Sequence, residues 1–233
     1  MSHYRTVVAD SLPRVRESVE QAAKRAGRAS GHVRLVAVTK GHPVAAAEAA
    51  LRAGILDLGE NRVGGLEAKV ARVERPDVRW HMVGHVQRRK VPRLLPSMHL
   101  LHSLDSLRLA QRVERVAEEL ELERVPVLVQ VNTSGEASKY GFAPEDFRRT
   151  LEELLALSRL EVLGLMTMAP LTEDEKVLRD TFRGLRKLHE EAGDHPAYEG
   201  TELSMGMSND FGIAVEEGST MIRIGTALFG ERP

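Results

Sequence analysis

Leu203-Ser204-Met205-Gly206-Met207-Ser208, a helix-like run, and then Met221-Ile222-Arg223-Ile224-Gly225-Thr226 form the stretch from which the fold is read. Two apolar segments of strand length each lead into Ser, Gly or Thr. In the second, alternation puts Met221, Arg223 and Gly225 on one face and Ile222 and Ile224 on the other. The aliphatic pair suits packing against helices, while the arginine faces an interior.

The same signal recurs upstream. Apolar, β-branched runs occur at Val33 to Val38, Ile55 to Leu58, Val78 to Val83, Met98 to His102, Val125 to Val131 and Leu160 to Met166, and Glu202 to Met205 with Met221 to Ile224 complete eight. Between them, Pro43 to Arg52, Arg62 to Val73, Leu107 to Leu120, Pro144 to Leu157 and Glu173 to Glu191 have helical spacing. Alternating strands and helices imply parallel strands with crossover helices. Eight such units without a linker predict a single (β/α)8 TIM-type barrel domain over residues 1–233. An extra amphipathic N-terminal helix, Tyr4 to Ala26, is expected to cover one end or side. The rival doubly wound sheet needs fewer strands and a glycine-rich first turn. Here that turn is Thr39-Lys40-Gly41-His42-Pro43.

Composition narrows the function. Hydrophobic residues make up 42% and charged residues 29%, with a net charge of −1, an ordinary globular balance that gives no reason to expect nucleic acid or a membrane as partner. There is no cysteine, which excludes disulfides, thiolate nucleophiles and Cys-based zinc sites. No run approaches the ~18 apolar residues of a membrane helix. A cytoplasmic protein is expected, and a monomer, since no helix face proposes a large apolar interface.

In such barrels chemistry sits at the C-terminal strand ends. Those positions hold Lys40, Asn61, Gly84 with His85, Ser103, Asn132, Met166, Ser204 to Ser208, and Arg223 to Thr226. Lys40, one of seven lysines, shares a face with Val36 and Val38, so its stem rises from the interior. An amine there can form an imine with an aldehyde if it loses its proton, which burial and a nearby Arg223 favour. A lysine snorkelling from the rim fits the same position. The loops after strands seven and eight are the usual phosphate site of the fold, and they supply Ser208 at an expected N-cap, Gly225 and Thr226. Ser208 and Thr226 also fit plain helix caps. Asp210, expected inside the helix, would repel a phosphate unless turned away.

An interior Arg223 needs an acceptor. It can donate to a pyridine nitrogen and keep that ring uncharged, or pair with Glu60 or Glu202. Lysine, phosphate loop and arginine together suggest an aldehyde-bearing phosphate cofactor. The histidine pairs His81/His85 and His99/His102 lack metal-binding geometry and read as hydrogen-bonded structural or loop residues, so no metal is expected. Gln87-Arg88-Arg89-Lys90 reads as a solvated helix start.

Ala37-Val38-Thr39-Lys40, Gly59-Glu60-Asn61, Trp80-His81-Met82-Val83-Gly84-His85-Val86-Gln87, Val131-Asn132, Gly164-Leu165-Met166, Leu203 to Ser208 and Gly218 to Thr226 resemble the pyridoxal phosphate homeostasis proteins, also known as the proline synthetase co-transcribed family. The likeness spans nearly the whole chain, and the C-terminal stretch is its most specific part. It implies an alanine racemase-like barrel with pyridoxal 5'-phosphate bound as an imine to Lys40. It also implies that Ser208, Gly225 and Thr226 hold the phosphate, Arg223 faces the pyridine nitrogen, and Asn61 and Met166 lie beside the ring. Arg89 departs from the family, which often has Asn there.

The implied role is that of a vitamin B6 carrier and regulator that releases its cofactor to apo-enzymes or amines, with no catalytic residue assigned. A racemase of this barrel type needs a second domain that brings a tyrosine base, and this chain stops at Pro233 after the eighth unit. Tyr4, Tyr140 and Tyr198 lie away from the expected strand ends, with Tyr140 in the loop after strand five. The alternatives are a minimal pyridoxal phosphate-dependent racemase or decarboxylase, and an aldolase-like barrel whose lysine reacts directly with a sugar phosphate.

Overall fold

The computed structural model describes residues 3–137 and 139–232; the ends of the expected span, residues 1, 2 and 233, lie outside them. Eight parallel strands close into a barrel in chain order: β1 Arg34–Val38, β2 Asp57–Glu60, β3 Arg79–Met82, β4 Leu100–Leu104, β5 Val125–Gln130, β6 Leu160–Met166, β7 Glu202–Ser204 and β8 Met221–Ile224. The helices are α1 His3–Arg25, α2 Val44–Arg52, α3 Val63–Val70, α4 Val91–Leu94, α5 Leu107–Glu119, α6 Pro144–Leu155, α7 Glu175–Ala192, α8 Phe211–Glu216 and α9 Thr226–Phe229. This is the expected TIM-type barrel.

Two-residue alternation divides the strands between two cores. Ala37, Leu58, Leu101, Val127, Leu165, Ile222 and Ile224 point outward and pack with helix residues such as Leu66, Val113, Phe147, Phe182 and Val215. Val36, Leu100, Leu128, Met166 and Met221 point inward and form a much smaller cluster. The barrel closes where β8 pairs with β1, matching Arg34 to Met221 and Val36 to Arg223. Helix α1 lies on the side of the barrel against α2, α8 and α9. Ser11 Oγ donates to the Leu228 carbonyl at 2.7 Å, and Arg25 pairs with Glu216.

Two departures from expectation have local causes. β2 begins at Asp57 rather than Ile55, because Gly54 at φ +82° lets Ile55 N–H return to the Ala50 carbonyl and end α2. The β3–β4 connection holds only two 3₁₀ turns, Arg88–Lys90 and Leu95–Ser97, around the single turn of α4. Pro92 and Pro96 fall within it, and each lacks the N–H that a longer helix needs. Among the described residues, no helix is long and apolar enough to cross a membrane.

Candidate functional site

At the C-terminal mouth a cavity of about 560 Å³ is lined by Lys40, Asn61, Ser208, Arg223, Gly225 and Thr226 among others. Six of the seven expected positions therefore converge on one space. Met166 does not line it. As the last residue of β6 it is fully buried in the interior cluster beneath, and Met168, two residues on, reaches the cavity wall. The two methionines lie one strand period apart on the same face, Met166 in the interior cluster and Met168 at the cavity wall.

Two lysines at the end of β1 show what is special about Lys40. Lys69, on α3, is buried and satisfied: Nζ donates to the Thr39 carbonyl at 2.7 Å and to Thr39 Oγ1 at 3.0 Å, and pairs with Glu60. Thr39 Oγ1 also donates to Glu60 at 2.7 Å, so the residue before Lys40 is held on both backbone and side chain. Lys40 Nζ has no such partner among the described residues. Burial first, and then the charges of Arg232 and Arg223, push its ammonium below the ordinary lysine value, with Glu60 partly opposing. A larger share of neutral amine follows at any given pH, which is what a nucleophilic lysine needs.

Ser208 is not the N-cap of α8. Asp210 immediately precedes that helix, and Ser208 Oγ instead accepts from Ala227 N–H in α9 at 3.1 Å, joining the two loops of the expected anion site. The Asp210 carboxylate accepts from Met207 N–H at 2.5 Å, so it is engaged with its own loop, and burial raises its pKa. Gly225 allows the close approach there, since a Cβ would come within 3.3 Å of the Val38 carbonyl oxygen. Across the mouth, a Cβ on Gly84 would lie 2.3 Å from the Asn61 carbonyl oxygen, so only glycine lets these two strand ends meet.

Arg223 is 4% exposed and pairs with neither expected carboxylate. Glu60 is taken by Lys69, and Glu202 by Arg34 at 3.2 Å and Thr220 Oγ1 at 2.6 Å. Instead Nη1 donates to Ser204 Oγ at 2.6 Å and Nη2 to the Thr167 carbonyl at 2.9 Å. Burial pushes its pKa down to about 10, against the opposing charge of Asp210, so it remains a cation at neutral pH. A guanidinium has five N–H donors, so donors remain for a ligand in the cavity that Arg223 lines. An unpartnered lysine, buried arginine donors and a hydroxyl-lined loop fit a phosphorylated aldehyde on an aromatic ring.

The alanine racemase N-terminal domain family matches residues 11–233. The pyridoxal phosphate homeostasis protein of Aquifex aeolicus is 38% identical over 223 residues, covering 96% of this chain and 97% of the relative. The chain belongs to this family. Among solved structures, an unknown protein from Bifidobacterium adolescentis superposes with a TM-score of 0.91 at 34% identity, covering 98% of this chain and 97% of the other. PipY of Synechococcus elongatus PCC7942, with pyridoxal phosphate bound, superposes at 0.80 and 37% identity, covering 91% and 100%.

One residue of the mouth carried no signal in the sequence, and another was placed only as far as its loop. Arg232 lines the cavity, packs its stem against Gly41 and acts on Lys40 through its charge, yet no periodic pattern marks it. Tyr140, read as away from the strand ends, does reach the mouth: its ring stacks on His85 at a centroid distance of 4.0 Å, and His85 Nδ1 lies 2.6 Å from Asp105 Oδ2. Among the described residues there is no cluster of three His, Cys, Asp or Glu side chains able to hold a metal.

Proposed function

We propose that this chain holds pyridoxal 5'-phosphate in the barrel mouth and serves vitamin B6 homeostasis as a reversible carrier rather than a strong catalyst. The observation that carries the reading is one cavity shared by an unpartnered Lys40, whose ammonium burial pushes below its ordinary value, and a buried Arg223 with donors to spare. When bound, the cofactor supplies an aldehyde that condenses reversibly with an amine. Lys40 provides that amine; Ser208, Gly225 and Thr226 hold the phosphate, with Arg232 adding charge beside Lys40. Asn61 and Met168 flank the ring, and Met166 forms the floor beneath it. Arg223, a permanent donor, faces the pyridine nitrogen and keeps it unprotonated, which makes the ring a modest electron sink. Weak electron withdrawal suits storage and release. The working unit is a single domain over residues 1–233, monomeric and cytoplasmic, that delivers its cofactor to apo-enzymes.

Borohydride reduction of the loaded protein followed by peptide mapping tests this directly. A pyridoxyl adduct on Lys40, absent in Lys40→Ala, is expected; an adduct elsewhere, or none, overturns the reading. Tyr140 at the mouth favours a second reading, a minimal racemase or decarboxylase in which it serves as the partner base. Rapid turnover in a panel of amino acids, lost in Tyr140→Phe, would select it over the carrier.

A further inference from the structure

The barrel lumen contains a continuous line of polar groups that the proposed function does not use. Starting at the base, Asp57 on β2 accepts from the half-buried Arg79 at 2.8 and 2.5 Å. Its Oδ1 lies 2.9 Å from His81 Nε2; His81 Nδ1 lies 2.8 Å from His102 Nε2; His102 Nδ1 lies 2.9 Å from Ser204 Oγ; and Ser204 Oγ accepts from Arg223. Five strands contribute, and His81, His102 and Ser204 are wholly buried.

Each link fixes the next. The Asp57 carboxylate can only accept, so His81 Nε2 must carry hydrogen. A neutral His81 then accepts at Nδ1, which puts the His102 hydrogen on Nε2, and His102 Nδ1 in turn takes the Ser204 hydroxyl proton. Ser204 is left with lone pairs for Arg223, which can only donate. A carboxylate at one end and a guanidinium at the other therefore leave one consistent orientation. Burial lowers the pKa of both rings, with Asp57 opposing at His81 and the charges of Arg34 and Arg223 adding to the effect at His102. The other titratable groups facing the line are Arg79 and His99 near its base, the latter with its ring centroid 5.8 Å from that of His81, and Asp210 and Lys40 at its Arg223 end.

We propose that Asp57, His81, His102 and Ser204 form a one-directional hydrogen-bond relay that locks the orientation of Arg223 from the far end of the barrel, making all four positioning residues for the ring-nitrogen end of the ligand. The ligand's identity rests on the proposed function; the relay itself does not. Without it, the Ser204 hydroxyl could turn its proton towards Arg223, and the guanidinium would lose the acceptor that aims it.

Two measurements decide the matter. In the cofactor-free protein at pH 7, nitrogen-15 NMR of the histidine rings is expected to show His81 and His102 as neutral Nε2–H tautomers. Asp57→Asn, which can donate as well as accept, is expected to introduce the Nδ1–H form at both rings while His189, bonded to Tyr198 elsewhere, stays unchanged. An imidazolium or an Nδ1–H form at either ring in the unaltered protein overturns the relay. In the loaded protein, Ser204→Ala is expected to move the pH midpoint of the visible band by about half a unit or more, with recovery in Ser204→Thr. An unchanged midpoint overturns the positioning role. If the unaltered protein develops no visible band, the cofactor reading fails, and the tautomers still decide the relay.

Discussion

The two faces of the barrel wall are made by the same eight strands, yet they do different work. Outward, Leu58, Leu101, Val127, Leu165 and Ile222 meet Phe147, Phe182 and other helix residues in one large apolar shell. Inward, only Val36, Leu100, Leu128, Met166 and Met221 form an apolar cluster, and the remaining lumen includes Asp57, His81, His102, Ser204 and Arg223. Burial of apolar surface is the main stabilising contribution in folding, whereas a buried polar network contributes little net free energy and fixes geometry instead. The outer face therefore provides stability, and the inner face spends some of it on orientation.

Substitutions on the two faces can break that division. Phe182→Ala, which empties a fully buried position of the shell, is expected to lower the unfolding free energy by about 3–5 kcal/mol in urea titrations while the folded protein binds ligand unchanged. A comparable loss of affinity would show that the faces are coupled. Lys69→Met leaves Glu60 buried without its cation and is expected to cost about 3 kcal/mol, with slower cofactor uptake because Thr39, next to Lys40, loses its anchor.

Asp57→Asn comes next, at about 2 kcal/mol near pH 7. Burial alone would raise the Asp57 pKa, but hydrogen bonds from Arg79 and His81 outweigh it and hold the group well below the carboxylate range. A folded-state value below the unfolded one contributes stability that is present above about pH 4 and lost as pH falls through the folded value. The difference between the two proteins should accordingly persist at pH 6 and shrink below pH 4. His102 adds an earlier decline: its folded value lies below the unfolded one, so stability falls as pH drops below about 6.5. Replacing His102 with Leu should flatten that limb. At the small end, Arg52→Ala removes an exposed pair with Glu48 and should change stability by less than about 0.5 kcal/mol.

Much of the molecule was legible in its alternation patterns. Met221-Ile222-Arg223-Ile224 assigned each residue to a face correctly, and Val36-Val38-Lys40 carried the lysine to the mouth. What escaped depends on neighbours distant in sequence. Ser208 was expected at the N-cap of the following helix because serine caps helices everywhere; its actual partner, Ala227, lies on the next loop. His81 and His102 looked unremarkable because strand periodicity gives the face of a side chain but not the neighbour it meets across a lumen. Met168 and Arg232 lie beyond the strands, where periodicity ends. The β3–β4 connection was unreadable as one helix because Pro92 and Pro96 interrupt it.

The closing pair β1 and β8 has a consequence for assembly. Lys40 follows the first strand and Arg223 lies on the eighth, so the mouth straddles the seam of the barrel. Contacts between segments so distant along the chain carry a high loop-closure cost and form late. An open barrel lacking only that last strand pairing would have either the amine or the guanidinium in place, but not both facing one ligand. A ligand that needs both binds only the closed form and shifts the equilibrium towards it by mass action. A ligand gripped by both would thus act as a latch across the seam, and the rate at which the barrel opens would set an upper limit on how long that grip lasts.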